Sequence, residues 1–327
     1  MAKMVISLLF LVFFIFSSQS CPGQTSAGAI SLQIAPNARA DGMGRSFGAI
    51  ADDASAVWWN PAGMAFLKGT NGSLTHIALV PDLVSDVYYE FLSATTSLGE
   101  WGAVGTSLAY LTYGKNVATG PGGPEDVIGT FSPFEFAPSI AFASKLSSVL
   151  GIGVNLKFVR VDLAPAWALQ AGMGKRGAGT TVAVDLGALT RLRSGKLCLG
   201  ASFQNLGPNI AYVDEDQSDP LGRNLKVGAA YVLGFGPASK LLFTFDFNKP
   251  FVYVDDPPIF NYGAEFNWND FLALRAGYID EGLTGSTVVG PTFGIGIMYG
   301  RLRFDYANVT QSKFLERASR YSLTAKF

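Results

Sequence analysis

The side chains able to do covalent or metal chemistry are sparse, and badly spaced for it. The 327 residues contain one histidine, His76, and two cysteines, Cys21 and Cys198. A Ser-His-Asp constellation would rest on His76 alone, and its surroundings supply no partner. One histidine and two distant cysteines build neither a zinc site of the usual ligand types nor a disulfide framework. Gly172-Met173-Gly174-Lys175-Arg176-Gly177 matches G-x-G-x-x-G. A dinucleotide-binding turn must follow a strand and open a helix, whereas here a strand-like run from Thr180 to Leu192 follows, so the stretch reads as a loop. Asp214, Glu215, Asp216 and Asp219 form an acidic run. An EF-hand loop needs glycine at its sixth position, and Asp219 stands there. It reads as a solvated loop. On these grounds no enzyme, no cofactor and no metal are expected.

What remains is physical rather than covalent. Trp58-Trp59-Asn60-Pro61-Ala62-Gly63 sets two indoles beside a proline that ends any helix or limits it to one turn. Adjacent tryptophans are costly to leave in water, so burial is expected. Pro138 sits inside the apolar run Phe134 to Phe142. Proline lacks a ladder donor and is confined to sheet edges and bulges. A closed barrel has no edge, so in one Pro138 would mark a bulge or a gap in the wall.

Composition narrows the setting of these residues. Hydrophobic residues are 49% of the chain and charged residues 15%, against roughly 25% charged in ordinary soluble domains. A net charge of −1 leaves no basic footprint for nucleic acid. Lys3, the apolar run Val5 to Phe16 and the polar Ser17 to Ser20 read as a secretory signal peptide, residues 1–20. The run falls short of the ~20 residues of a transmembrane helix. Cleavage after Ser20 exposes Cys21, although Ser18 fits poorly the apolar position expected before a lipidated cysteine. No other segment could span a bilayer as a helix, so a membrane location requires strands.

Strands are what the remainder shows. Leu150, Ile152, Val154, Leu156 and Phe158 alternate with Gly151, Gly153, Asn155 and Lys157. Runs at 241–248, 260–268 and 292–299 alternate in the same way. One face is apolar and rich in phenylalanine, while the other is small and polar. We read strands at 73–80, 86–98, 101–113, 134–146, 150–163, 180–192, 196–208, 223–234, 239–250, 259–268, 271–280, 289–299, 301–309 and 320–327. Of these, 86–98 and 101–113 alternate poorly. Short and long connections also alternate, the pattern of a membrane barrel. The fold class is therefore all-β: a transmembrane antiparallel barrel of about fourteen strands over 73–327. Residues 21–72 lack the period and are expected to form a lumen plug. Both ends of the mature chain are expected at the short-turn, periplasmic side, with 114–133 and 164–179 outside the cell. Lys157, Asp185, Arg191, Asp246 and Glu265 fall on the lumen face and are expected to pair across it.

The stretch from Arg39 to Leu67 contains Asp41-Gly42-Met43-Gly44, Asp52-Asp53-Ala54-Ser55-Ala56 and Asn60-Pro61-Ala62-Gly63. It resembles the N-terminal signature of the PorV/PorQ family, outer-membrane barrels related to the long-chain fatty acid transporters (FadL-like). The resemblance implies the outer membrane of a diderm bacterium, with outer-membrane lipid around the barrel. It implies an accessory or docking component of type IX protein secretion, whose partners are secreted proteins or the type IX machinery. The alternative it carries is passive uptake of hydrophobic small molecules such as long-chain fatty acids. In the transporters an Asn-Pro-Ala motif belongs to a hatch inside the barrel, which would place Trp58 to Gly63 in the plug. There a kinked strand opens the wall sideways, which makes Pro138 the candidate lateral opening.

Overall fold

The computed structural model describes residues 27–169, 176–214, 216–236, 238–252, 257–280, 290–310 and 317–327. The signal segment, Cys21, residues 172–175 of the glycine-rich run and Glu215 lie outside the described residues.

The period-two pattern folds into fourteen antiparallel strands closed as a barrel. They are β1 (Thr70–Ala78), β2 (Val87–Ser97), β3 (Ala103–Tyr113), β4 (Phe134–Lys145), β5 (Leu150–Ala164), β6 (Gly177–Leu192) and β7 (Leu197–Leu206). They continue as β8 (Asn224–Phe235), β9 (Ser239–Pro250), β10 (Ile259–Trp268), β11 (Leu272–Asp280), β12 (Gly290–Tyr299), β13 (Leu302–Val309) and β14 (Ala318–Lys326). Each pairs with its neighbours in sequence, and β1 closes on β14 with Leu74 opposite Leu323. The main chains of Thr70 and Phe327 exchange hydrogen bonds of 3.2 and 2.7 Å, so the terminal phenylalanine belongs to the closing seam.

The two faces behave as the pattern demands. On β5, Ile152, Val154, Leu156 and Phe158 face outward and are exposed, while Asn155, Lys157 and Val159 are buried in the lumen. The outer face meets lipid, where exposed aliphatic and aromatic groups are favourable. Trp101 and Tyr299, 83% and 82% exposed, lie at the short-turn end with Trp268, Phe271 and Phe327, the position of an interfacial aromatic girdle. Strands β2 and β3 alternate poorly in sequence for a reason now visible. Tyr89, Phe91 and Leu111 point inward and are fully buried, while Leu92 points to lipid, so both faces are apolar there.

Short connections gather at one end and long ones at the other. The long 114–133 connection carries a hairpin of Asn116–Thr119 with Val127–Phe131, and the 207–223 connection pairs Ile210–Ala211 with Ser218–Asp219. The described N-terminal segment begins at this long-loop end. Gly28 bridges Leu221, and the Ala29 N–H donates to the Tyr212 hydroxyl at 3.1 Å. The N–H groups of Ile30 and Ser31 donate to the Glu135 carboxylate at 3.1 and 2.7 Å. The chain then threads the lumen to reach Thr70 at the short-turn end. The expectation that both ends of the mature chain sit at that end rests on Cys21, which lies outside the described residues; the described segment enters from the opposite mouth. Glu135 and Tyr212 satisfy main-chain donors that would otherwise be stranded at the long-loop mouth.

The topology predicts that Gly122→Cys is labelled by a membrane-impermeant thiol reagent on intact cells. Ser194→Cys, in a tight turn, should label only after the envelope is permeabilised. The reverse pattern would overturn the orientation.

Candidate functional site: the plug and its seat

The plug is built from short pieces held by side-chain caps. Helix α1 (Ala38–Gly42) starts at Asn37, whose side-chain oxygen accepts the Arg39 N–H at 2.9 Å. The other arm of that amide donates to Asp53 and Ser55 at 2.9 and 3.0 Å, tying two parts of the plug together. Helix α2 (Ala56–Trp59) stops at Asn60, which is extended, and Pro61 opens a 3-10 turn, Pro61–Phe66. Proline suits that first position because the missing N–H would have no helical partner. Asn60 accepts the Ala62 N–H at 3.1 Å. It also donates to the carbonyls of Gly48 in the plug and Ala188 on β6, at 3.0 and 3.1 Å. One amide therefore fixes its own turn, the rest of the plug and the wall.

Both indoles are buried. The Trp59 Nε1–H donates to the Pro36 carbonyl at 3.1 Å, and its ring packs edge-on against Trp58 and Phe47 at 4.7 and 5.7 Å. They join Tyr89, Phe91, Leu111 and Val159 in one apolar cluster between plug and wall. The turn at Asn60 and Pro61 lies almost on the wall backbone. A Cβ at Gly153 would stand 2.4 Å from the Pro61 carbonyl carbon, and one at Gly187 would stand 2.2 Å from Asn60 Oδ1. Neither site admits any side chain.

Charge holds the opposite side. Arg39 makes a two-pronged pair with Glu265 on β10 at 2.7 and 2.8 Å, and also pairs with Asp52. Arg275 of β11 pairs with Glu265 at 2.6 Å and with Asp305 of β13 at 2.8 Å. Arg303 joins Asp305 to plug residue Asp53 at 2.8 and 2.7 Å. Arg320 of β14 pairs with Asp41 at 3.0 Å. The result is an alternating chain of buried charges running from plug to wall and back. Burial pushes the Asp53 carboxyl up, but the guanidinium groups of Arg303 and Arg39 outweigh it and hold the group below the usual carboxylate range.

Of the five lumen charges expected to pair across the barrel, Lys157 and Asp185 pair along the wall rather than across it, at 2.7 Å between the adjacent strands β5 and β6. The others meet the plug instead. Asp246 Oδ2 accepts the N–H groups of Phe47 and Gly48 at 3.0 and 2.8 Å. Glu265 holds Arg39, and Arg191 lies 4.5 Å over the Phe66 ring. His76 forms a surface pair with Glu90 on the next strand at 2.7 Å. The plug charges Arg39, Asp41 and Asp53 stand in the stretch that carries the family resemblance, but their pairing with the wall was not anticipated from the sequence. Their signal was present as charges set in an otherwise small, apolar segment.

Pro138 sits at a break in the β4–β5 ladder. Phe136 pairs with Arg160 and Ser139 with Lys157, while Ala137 and Pro138 have no partner on β5. The register is the same on both sides, so this is a gap rather than a bulge, and the ladder to β3 runs through it with Leu108 opposite Pro138. Phe136, Ile140, Leu156 and Phe158 flank the gap on the lipid face. Behind it, Ala137 and Val159 are buried in the same apolar cluster as the two tryptophans.

The family model described as "Type IX secretion system protein PorV" matches residues 21–258. The chain belongs to the PorV family. Comparison with curated proteins returned no match. Among solved structures, the Pseudomonas putida toluene transporter TodX aligns with a TM-score of 0.60 at 15% identity, covering 88% of this chain and 95% of TodX. The Ralstonia pickettii toluene transporter TbuX gives 0.54 at 13%, covering 88% and 97%. A Pseudomonas aeruginosa FadL homologue gives 0.51 at 11%, covering 89% and 98%. At these identities the likeness is one of fold. This PorV-family member is an outer-membrane barrel whose lumen is filled by its own N-terminal segment.

Removing one partner of a buried ion pair typically costs about 3–5 kcal/mol. Arg39→Met should therefore markedly lower the temperature at which the folded barrel loses its heat-modifiable mobility on SDS gels. An unchanged transition in Arg39→Met would contradict a plug held by this pair.

Proposed function

We propose that this barrel is an accessory or docking component of type IX protein secretion in the outer membrane, acting without catalysis. Membership of the PorV family carries the reading, and the filled lumen supports it. A barrel whose interior is occupied by a seated plug is poorly suited to pass a polypeptide, whereas its long-loop end and lipid-facing wall are free to hold exported proteins or machine components. In this reading residues 1–20 are a signal peptide, 21–72 the plug and 73–327 the barrel. Trp58 to Gly63 form the motif that seats the plug.

A second reading rests on the gap at Pro138. A missing pair of ladder bonds flanked by apolar side chains is the wall feature that sideways release of a hydrophobic small molecule would need. Proteins of this fold include barrels described as toluene transporters. Here the inner side of the gap is packed, so uptake would require the plug to shift.

A deletion strain separates the two. The secretion reading predicts loss of surface attachment or export of proteins, with growth on hydrophobic substrates retained. Intact export with failed growth, reproduced by Pro138→Ala in a folded barrel, would establish uptake instead.

A further inference from the structure

The short-turn mouth of the barrel holds a second cavity, of about 420 Å³, beneath the plug. Its floor is the plug latch: Arg39, Glu265, Arg275 and Arg303 line it, and their charges are already matched to one another and to Asp52, Asp53 and Asp305. The rim is different. Arg191 near the end of β6, Lys240 at the start of β9 and Lys326 at the end of β14 line the opening. Lys145, the last residue of β4, stands beside Arg191, and the two lie over the Phe66 ring at 5.4 and 4.5 Å.

Carboxylates to match this rim are few. Asp270, in the turn after β10, lies 3.7 Å from Lys240 and is itself 75% exposed. Asp52 is held by Arg39. Among the described residues Lys145, Arg191 and Lys326 form no ion pair. Even with Asp52 set against Arg191, which shares its cavity, Lys145 and Lys326 stay unmatched. The short turns and the plug's exit add Lys68, Arg193, Lys196 and Arg301, against Glu100 and the terminal carboxylate. The chain as a whole carries −1, so this end is a local excess of positive charge balanced at the long-loop end. A concave mouth lined by one sign of charge concentrates its field on whatever enters.

The placement of the cations selects the occupant. Lys145, Arg191, Lys240 and Lys326 are spread over four strands around the mouth and do not converge on one point, as a single phosphate would require. Arg191, Lys240 and Lys326 face the cavity, whereas lipid headgroups surround the outer wall. Between them Ile50, Val232, Leu242 and Met298 offer apolar surface to the stems of a peptide's side chains. We propose that the short-turn mouth receives an acidic segment of a periplasmic protein, a stretch of peptide carrying several Asp or Glu side chains. This inference goes beyond the secretion reading and does not depend on it.

The test is fluorescence anisotropy with the purified full-length barrel in detergent. The probe is a short rhodamine-labelled peptide of alternating Glu and Val, and its counterpart has Gln for every Glu. The acidic peptide should bind saturably and roughly tenfold more tightly than the neutral one, and the preference should shrink as salt is raised. Lys145→Gln with Arg191→Gln, and separately Lys240→Gln with Lys326→Gln, should each weaken the acidic peptide by roughly fivefold. Heat-modifiable mobility on SDS gels verifies that both variants are folded. Lys115→Gln with Arg176→Gln removes the same charge at the long-loop end and should change nothing. Equal affinity for the two peptides, binding that survives both rim variants, or an equal loss in the long-loop variant would overturn the proposal. So would rim variants that lose binding to phosphatidylglycerol vesicles but not to the acidic peptide, which would assign the cations to lipid.

Discussion

The plug of this barrel buries charges that have no bulk water to return to, and every other feature of the interior follows from pairing them. Arg39, Asp41 and Asp53 are each matched by a wall residue from β10, β13 or β14. Buried pairs of this kind contribute little net stability compared with apolar packing, but a mispaired one is strongly unfavourable. Their effect is therefore positional: the plug has one arrangement in which all charges are satisfied. On the other side the wall contributes shape. Bare backbone at Gly153 and Gly187 lets the Asn60-Pro61 turn approach closer than any side chain would permit. Charge on one flank and steric fit on the other set the plug in one place.

The wall was legible in the sequence because each strand advertises itself locally. A lipid face and a lumen face differ in residue type, and period two is read within a single strand. All fourteen strands are recovered in order. The blurred pair, β2 and β3, is blurred because the lumen beside it is apolar, and Tyr89 and Phe91 face the tryptophans rather than water. The burial of Trp58 and Trp59 was legible for a similar reason, since it follows from residue type alone.

The latch was not legible. Arg39 and Glu265 are separated by 226 residues, and Asp53 and Arg303 by 250. No local period links them, and a charge on a lumen face is equally compatible with a partner across the wall or with one on the plug. The direction in which the plug threads the lumen was not legible for the same reason. It depends on Glu135 and Tyr212 receiving the main-chain groups of residues 29–31, contacts made by loops and strand ends far away in sequence.

A seated plug separates a docking barrel from a pore, so the account stands on whether the lumen is closed by residues 41–66. Single-channel conductance in planar bilayers measures this directly. The intact protein should be electrically silent, and a folded variant lacking residues 41–66 should conduct steadily. A conducting intact protein, or a folded deletion variant that remains silent, would contradict the plug as the element that closes this barrel.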